Sequence, residues 1–115
     1  MRRRYHCGAM VNFAEILDLR DQIVREFAPR SVILFGSYAN GTAVAQSDVD
    51  LLVIMPFQGS PIHKAVDILR KIRHRFPLDL LVRTPEYIAR RKELNDPFIV
   101  EILEQGKVLH EAAYA

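Results

Sequence analysis

Apolar and polar positions along this chain follow two periods, and the switches between them mark out the elements. After Asn12, residues Phe13, Ile16, Leu17, Ile23, Val24 and Phe27 recur near helical spacing until Pro29 stops the pattern. The spacing predicts a first helix with a polar outer face and Asn12 as its N-cap. Ser31 to Phe35 is a short β-forming run that ends on Gly36 and Ser37. Tyr38 to Asn40 then leaves room for about one helical turn before Gly41. Val49 to Met55 reads as a second strand, and Pro56 to Pro61, with Gly59 between them, as a surface loop. From Ile62 to Phe76 the spacing predicts an amphipathic helix closed by Pro77. Its apolar face is expected to be Ile62, Val66, Leu69, Ile72 and Phe76, with Lys64, Arg70, Lys71, Arg73 and Arg75 over the rest. Pro77 to Arg83 is a third strand, with Leu78, Leu80 and Val82 pointing one way and Asp79 the other. Thr84-Pro85 and Asp96-Pro97 are helix start signals, Gly106 ends the last helix, and Lys107 to Leu109 is a short edge strand. Strands and helices interleave without strict βαβ regularity, so the expected fold class is α+β, a small mixed β-sheet flanked by helices.

Composition narrows the function classes. The chain has 115 residues, half of them apolar, which suits one domain with one organised core. A net charge of +2 is too near balance to indicate a nucleic-acid track. The single Cys7 excludes an internal disulfide, and no apolar run approaches the ~18 residues of a membrane span. A cytoplasmic protein without a membrane partner is the expectation. Arg2, Arg3 and Arg4 are followed from Tyr5 to Val11 by no continuous apolar stretch, so residues 1–10 read as a solvated, disordered tail ahead of a domain over 11–115. Met10 is the expected physiological start. His6, His63, His74 and His110 lack zinc-ligand spacing and read as surface residues. The basic face of the Ile62 helix reads as a solvated face. Phe98, Ile99, Ile102 and Leu103 read as core.

The candidate chemistry lies between the first two strands. Gly36-Ser37 is followed, after ten residues, by Asp48-Val49-Asp50 at the start of an apolar run. A period of two sends both carboxylates out on the same side of that strand end, an arrangement suited to a hard cation. Asp79 adds an acid inside an apolar strand. Burying an unpaired carboxylate costs at least several kcal/mol, so either Asp79 lies at an exposed edge or face, or a cation compensates it. Beside the Val49 to Met55 strand, it can join Asp48 and Asp50. Taken singly, Ser47-Asp48 is also ordinary turn chemistry and Gly36-Ser37 an ordinary strand-to-helix turn. Those readings leave the joint spacing and Asp79 without a reason.

Gly36-Ser37, Asp48-Val49-Asp50 and the later strand-borne Asp79, in that order, resemble the nucleotidyltransferases of the DNA polymerase β superfamily, and most of all their small single-domain members, the minimal nucleotidyltransferases. The similarity runs from Val11 onward; small members often carry Arg where this chain has Asn40. The resemblance implies a nucleotidyltransferase fold with two Mg²⁺ ions held by Asp48, Asp50 and Asp79, the last also positioning or deprotonating the attacking hydroxyl. It implies that Gly36 and Ser37 contact the β- and γ-phosphates of ATP, the donor. It further implies a HEPN-type toxin as partner in a toxin-antitoxin module, this chain being the antitoxin that transfers AMP to a tyrosine, and a homo- or hetero-oligomer. The alternatives are a binding module that neutralises a partner by contact alone, and nucleotidyl transfer to a small molecule or an RNA end.

Overall fold

A computed structural model describes residues 10–113; the expected tail lies, apart from Met10, outside the described residues. Local chemistry accounts for the helix ends. Helix α1 (Phe13–Phe27) starts in a capping box, in which the Asn12 side chain accepts from the Glu15 amide and the Glu15 carboxylate accepts from the Asn12 amide. Strand β1 (Ser31–Phe35) follows, then the single turn α2 (Ser37–Asn40), strand β2 (Val49–Ile54) and helix α3 (Pro61–Lys71), whose first amides donate to the Ser60 hydroxyl. Strand β3 (Leu78–Arg83), helices α4 (Pro85–Glu93) and α5 (Pro97–Gln105), and strand β4 (Lys107–Glu111) complete the chain. Thr84 and Asp96 cap α4 and α5, each with Pro at the first helical position, as their sequence signals predict.

The four strands form one mixed sheet in the order β3-β2-β1-β4. Strand β1 runs antiparallel to β2 and β4, and β3 runs parallel to β2. β2 is central and buried on both faces, which is why it reads as a continuous apolar run. On one face Val49, Leu51 and Val53 of β2 pack with Leu80 and Val82 of β3 against Ile16, Leu19 and Ile23 of α1 and Ile68 of α3. On the other, Leu52 and Ile54 pack with Ile33 against Ile88 of α4 and Ile99 and Ile102 of α5. The mixed sheet flanked by helices is the expected fold, with a core on each face.

The third helix departs from expectation. It ends at Lys71 rather than Phe76, and Ile72 is already extended at φ −109°, ψ 160°. The Gln22 side chain of α1 accepts from the Arg73 amide at 2.7 Å and donates to the Arg73 carbonyl at 2.9 Å, which takes the main-chain bonds a further turn needs. Its buried face differs as well. Ile68 is fully buried, whereas Ile62, Val66 and Leu69 are exposed. Ile72 and Phe76 are buried as expected, from the connection to β3 rather than from the helix. In α5, Ile99 and Ile102 are core, but Phe98 is half exposed and meets Phe35 edge-on at 5.9 Å. Strand β4 runs two residues beyond the expected Leu109.

Candidate active site

Alternation along β2 determines which way its acid points. Val49, Leu51 and Val53 occupy the α1/α3 face, so Asp50 shares the opposite face with Leu52 and Ile54. The pairing registers then align a row across one end of the sheet: Phe35 of β1 faces Asp50 of β2, and Asp50 faces Asp79 of β3. Asp48 lies two residues before Asp50, just ahead of the strand. Residues 29 positions apart in the chain thus become neighbours through a parallel pairing. Asp79 is exposed and on the edge strand, which is the first of the two conditions under which an acid is tolerated there, and it also lies beside Asp50.

Gly36 closes the other side. It precedes α2 with φ 75° and ψ −154°, a region essentially restricted to glycine. A Cβ built there would lie 2.1 Å from Oδ2 of Asp50, so the Asp50 carboxyl occupies the space a side chain would take. The carbonyl of Gly36 accepts from the amides of Ala39 and Asn40, and that of Ser37 from Gly41 and Thr42, which holds the short turn in place. The amides of Ser37 and Tyr38, at its first positions, have no intrahelical acceptor. Tyr38 Oη accepts from the Val11 amide at 3.1 Å and ties the turn to the start of the domain. Asn40 has a local role that the sequence did not disclose. Its Oδ1 accepts from the Thr42 amide at 3.2 Å and the Thr42 hydroxyl at 2.6 Å, bracing the loop towards Asp48.

The electrostatics of the row are unfavourable as it stands. Burial pushes the Asp50 carboxyl up to about 6, with further upward contributions from the charges of Asp79 and Asp48 and from its hydrogen bond with Asp79. Among the described residues no group of three or more His, Cys, Asp or Glu side chains is arranged to hold a metal ion by itself. The donor chemistry nonetheless suits Mg²⁺, which is held by one or two carboxylates together with substrate phosphates and water rather than by an all-protein cage. A half-buried Asp50 beside an exposed Asp79, with Gly36 against the Asp50 carboxyl, is such a partial site. Next to it, Gly36, Ala39, Asn40, Phe98, Ile102 and Gln105 line a cleft of about 230 Å³ between α2 and α5. Periodicity had assigned Phe98 to the core, and only the cleft reveals its exposed ring; no sequence signal marks it.

A mixed sheet with a glycine-led turn at one end and strand-borne acids across from it defines a nucleotidyltransferase-type domain. The chain belongs to the nucleotidyltransferase domain family, whose pattern matches residues 16–110. It is 39% identical over 89 residues to a candidate protein adenylyltransferase of Methanocaldococcus jannaschii, the match covering 70% of this chain and 58% of that protein. The chain therefore spans little more than half of that relative. A second candidate protein adenylyltransferase of the same organism is 29% identical over 83 residues, covering 70% of this chain and 78% of its own length. A solved toxin-antitoxin structure with AMP-PNP superposes with a TM-score of 0.53 at 24% identity, over 90% of this chain and 76% of the other.

Proposed function

We propose that this protein is a Mg²⁺-dependent adenylyltransferase that moves AMP from ATP to a hydroxyl of a partner protein, acting as the antitoxin of a module with a HEPN-type toxin. The observation that carries the reading is the Asp50–Asp79 carboxyl pair closed against Gly36. The names of the relatives support protein adenylyl transfer, and the toxin-antitoxin structure with AMP-PNP supports the donor and the kind of partner.

Asp48 and Asp50 would hold two Mg²⁺ ions and Asp79 the one nearer the acceptor. Bound there, Mg²⁺ neutralises the triphosphate and polarises the α-phosphate. The residues of the chain do the rest. The amides of Ser37 and Tyr38, with the Ser37 hydroxyl, hold the β- and γ-phosphates, which approach closely because Gly36 has no side chain. Asp79 accepts the proton of the attacking hydroxyl. The hydroxyl oxygen bonds to the α-phosphorus, the bond from that phosphorus to the oxygen bridging to the β-phosphate breaks, and pyrophosphate leaves with the electron pair.

The test is incubation of the pure protein with ATP labelled at the α-phosphate, Mg²⁺ and lysate of its source cells, beside the Asp48→Asn, Asp50→Asn variant. Label on a protein, absent with the variant, is the expected result. A folded, ATP-binding chain that labels no protein would refute transfer to a protein and favour neutralisation by contact or a non-protein acceptor.

A further inference from the structure

Strand β3 is an edge strand: among the described residues it pairs with β2 on one side only. The main-chain bonds show which groups face outward. The Val49 amide donates to the Pro77 carbonyl and the Met55 amide to the Arg83 carbonyl, both at 3.0 Å. Main-chain groups alternate in direction along a strand, so Asp79 and Leu81 also turn theirs to β2. Leu78, Leu80 and Val82 therefore present amides and carbonyls at the open edge.

Above that edge stands an apolar strip. Ile62, Val66 and Leu69 of α3 are spaced four and three residues apart and are 74%, 39% and 37% exposed. Lys64 lies over the Phe27 ring of α1 at 5.3 Å, which identifies the side of α3 turned to α1. At about 100° per residue, Ile62, Val66 and Leu69 fall on the opposite shoulder, towards the free side of β3. Arg70 borders this shoulder and is exposed.

The chemistry adds a direction. With the pyrophosphate end of the donor at Gly36 and Ser37, on the β1 side of Asp50, in-line attack brings the acceptor from the other side, past Asp79 and hence from the edge of β3. We propose that β3 and the shoulder of α3 together form a docking strip for an extended, acidic, hydroxyl-bearing segment of the acceptor protein, which adds to the sheet as a strand beside β3. This rests on the adenylyl-transfer reading for the role of the hydroxyl. In such a strand alternate side chains point to opposite faces: apolar ones meet Ile62, Val66 and Leu69, and a hydroxyl on the other face stands next to Asp79, with Cα atoms about 4.5 to 5.5 Å apart across the pair. A second copy of this chain is the poorer occupant, because its own β3, Leu-Asp-Leu-Leu-Val-Arg, carries no hydroxyl to stand beside Asp79, whereas an acidic residue of the acceptor complements Arg70.

The probe is a fluorescent nine-residue peptide, Thr-Glu-Thr-Val-Tyr-Val-Thr-Glu-Thr, whose valines and glutamates share the face turned to α3 and whose tyrosine lies on the other, added to the full chain with ATP and Mg²⁺. The expected result is saturable binding that slows hydrogen exchange at the amides of Leu78, Leu80 and Val82. Affinity should fall at least tenfold with Ile62→Asp, Val66→Asp, and likewise when alternate peptide amides on the pairing side are N-methylated. The double variant should bind ATP like the native chain. Absence of peptide binding, protection elsewhere, or indifference to both changes would overturn the proposal. Binding as described without AMP on the peptide tyrosine leaves the docking strip standing and counts against the transfer reading, so the two fail separately.

Discussion

Gly36 and Asp50 are coupled at the level of atoms, because the carboxyl of one fills the space that any side chain on the other would need. Gly36→Ala therefore meets both a strained backbone and a clash. It should cost on the order of 1–3 kcal/mol of stability in a denaturant titration and lower adenylyl transfer by about 100-fold through displacement of Asp50. Asp50 itself should be a liability without its ligands. Its folded value is raised from 3.8 to about 6, so its contribution to stability is fully present below about 3.8 and is lost as pH rises through 6. In EDTA, Asp50→Asn should accordingly melt at a higher temperature than the native chain at pH 7.5, and the gap should close by pH 4; a lower melting point at pH 7.5 would contradict the unfavourable row. These residues were legible from the sequence because their spacing and residue types leave few roles for them. The contact between Gly36 and Asp50 was not, since fourteen positions separate them and only the β1–β2 register brings them together.

Elements were legible where local chemistry starts or stops them. Asn12, Ser60, Thr84 and Asp96 each cap a helix by side-chain hydrogen bonds, and Pro or Gly marks most boundaries. Helix α3 shows where this fails. Ile62, Val66 and Leu69 satisfy helical periodicity as well as Ile68 does, but only one shoulder of the helix meets β2 and β3. Ile68→Ala should cost about 2–5 kcal/mol, and Ile62→Ala should stay within about 0.5 kcal/mol of the native chain; chemical denaturation of the two variants checks the assignment. Gly106 is a second case. Its φ of −72° is ordinary, yet an added Cβ would lie 2.5 Å from the Ile102 carbonyl oxygen and 2.7 Å from Cγ2 of Ile33. Gly106→Ala should destabilise by about 1–3 kcal/mol by forcing α5 away from β1, read in the same way.

At the scale of the whole molecule, three segments apart in sequence meet at one end of the sheet, Gly36 against Asp50 and Asp50 beside Asp79. On the proposed reading Gly36 and Ser37 belong to the donor end and Asp79 to the acceptor end, on opposite sides of Asp50 in the sheet. Asp79→Asn should therefore lower the rate of transfer more than the affinity for ATP, whereas Asp50→Asn should lower both. With Mg²⁺ and ATP at about 100 times the dissociation constant, the native chain should gain roughly 2.7 kcal/mol of stability; a thermal shift kept by Asp79→Asn and lost by Asp50→Asn would separate the roles. Among the described residues no helix is long and apolar enough to cross a membrane. The sequence alone determined the helix starts, the strand runs, the α+β class and the acids worth testing, because these follow from side-chain chemistry and short-range period. Strand order, the face of α3 that is buried, the closing of Gly36 on Asp50 and the open edge beside Asp79 were decided by the tertiary structure. They depend on which distant segments pair and in which register, and no local pattern encodes that choice.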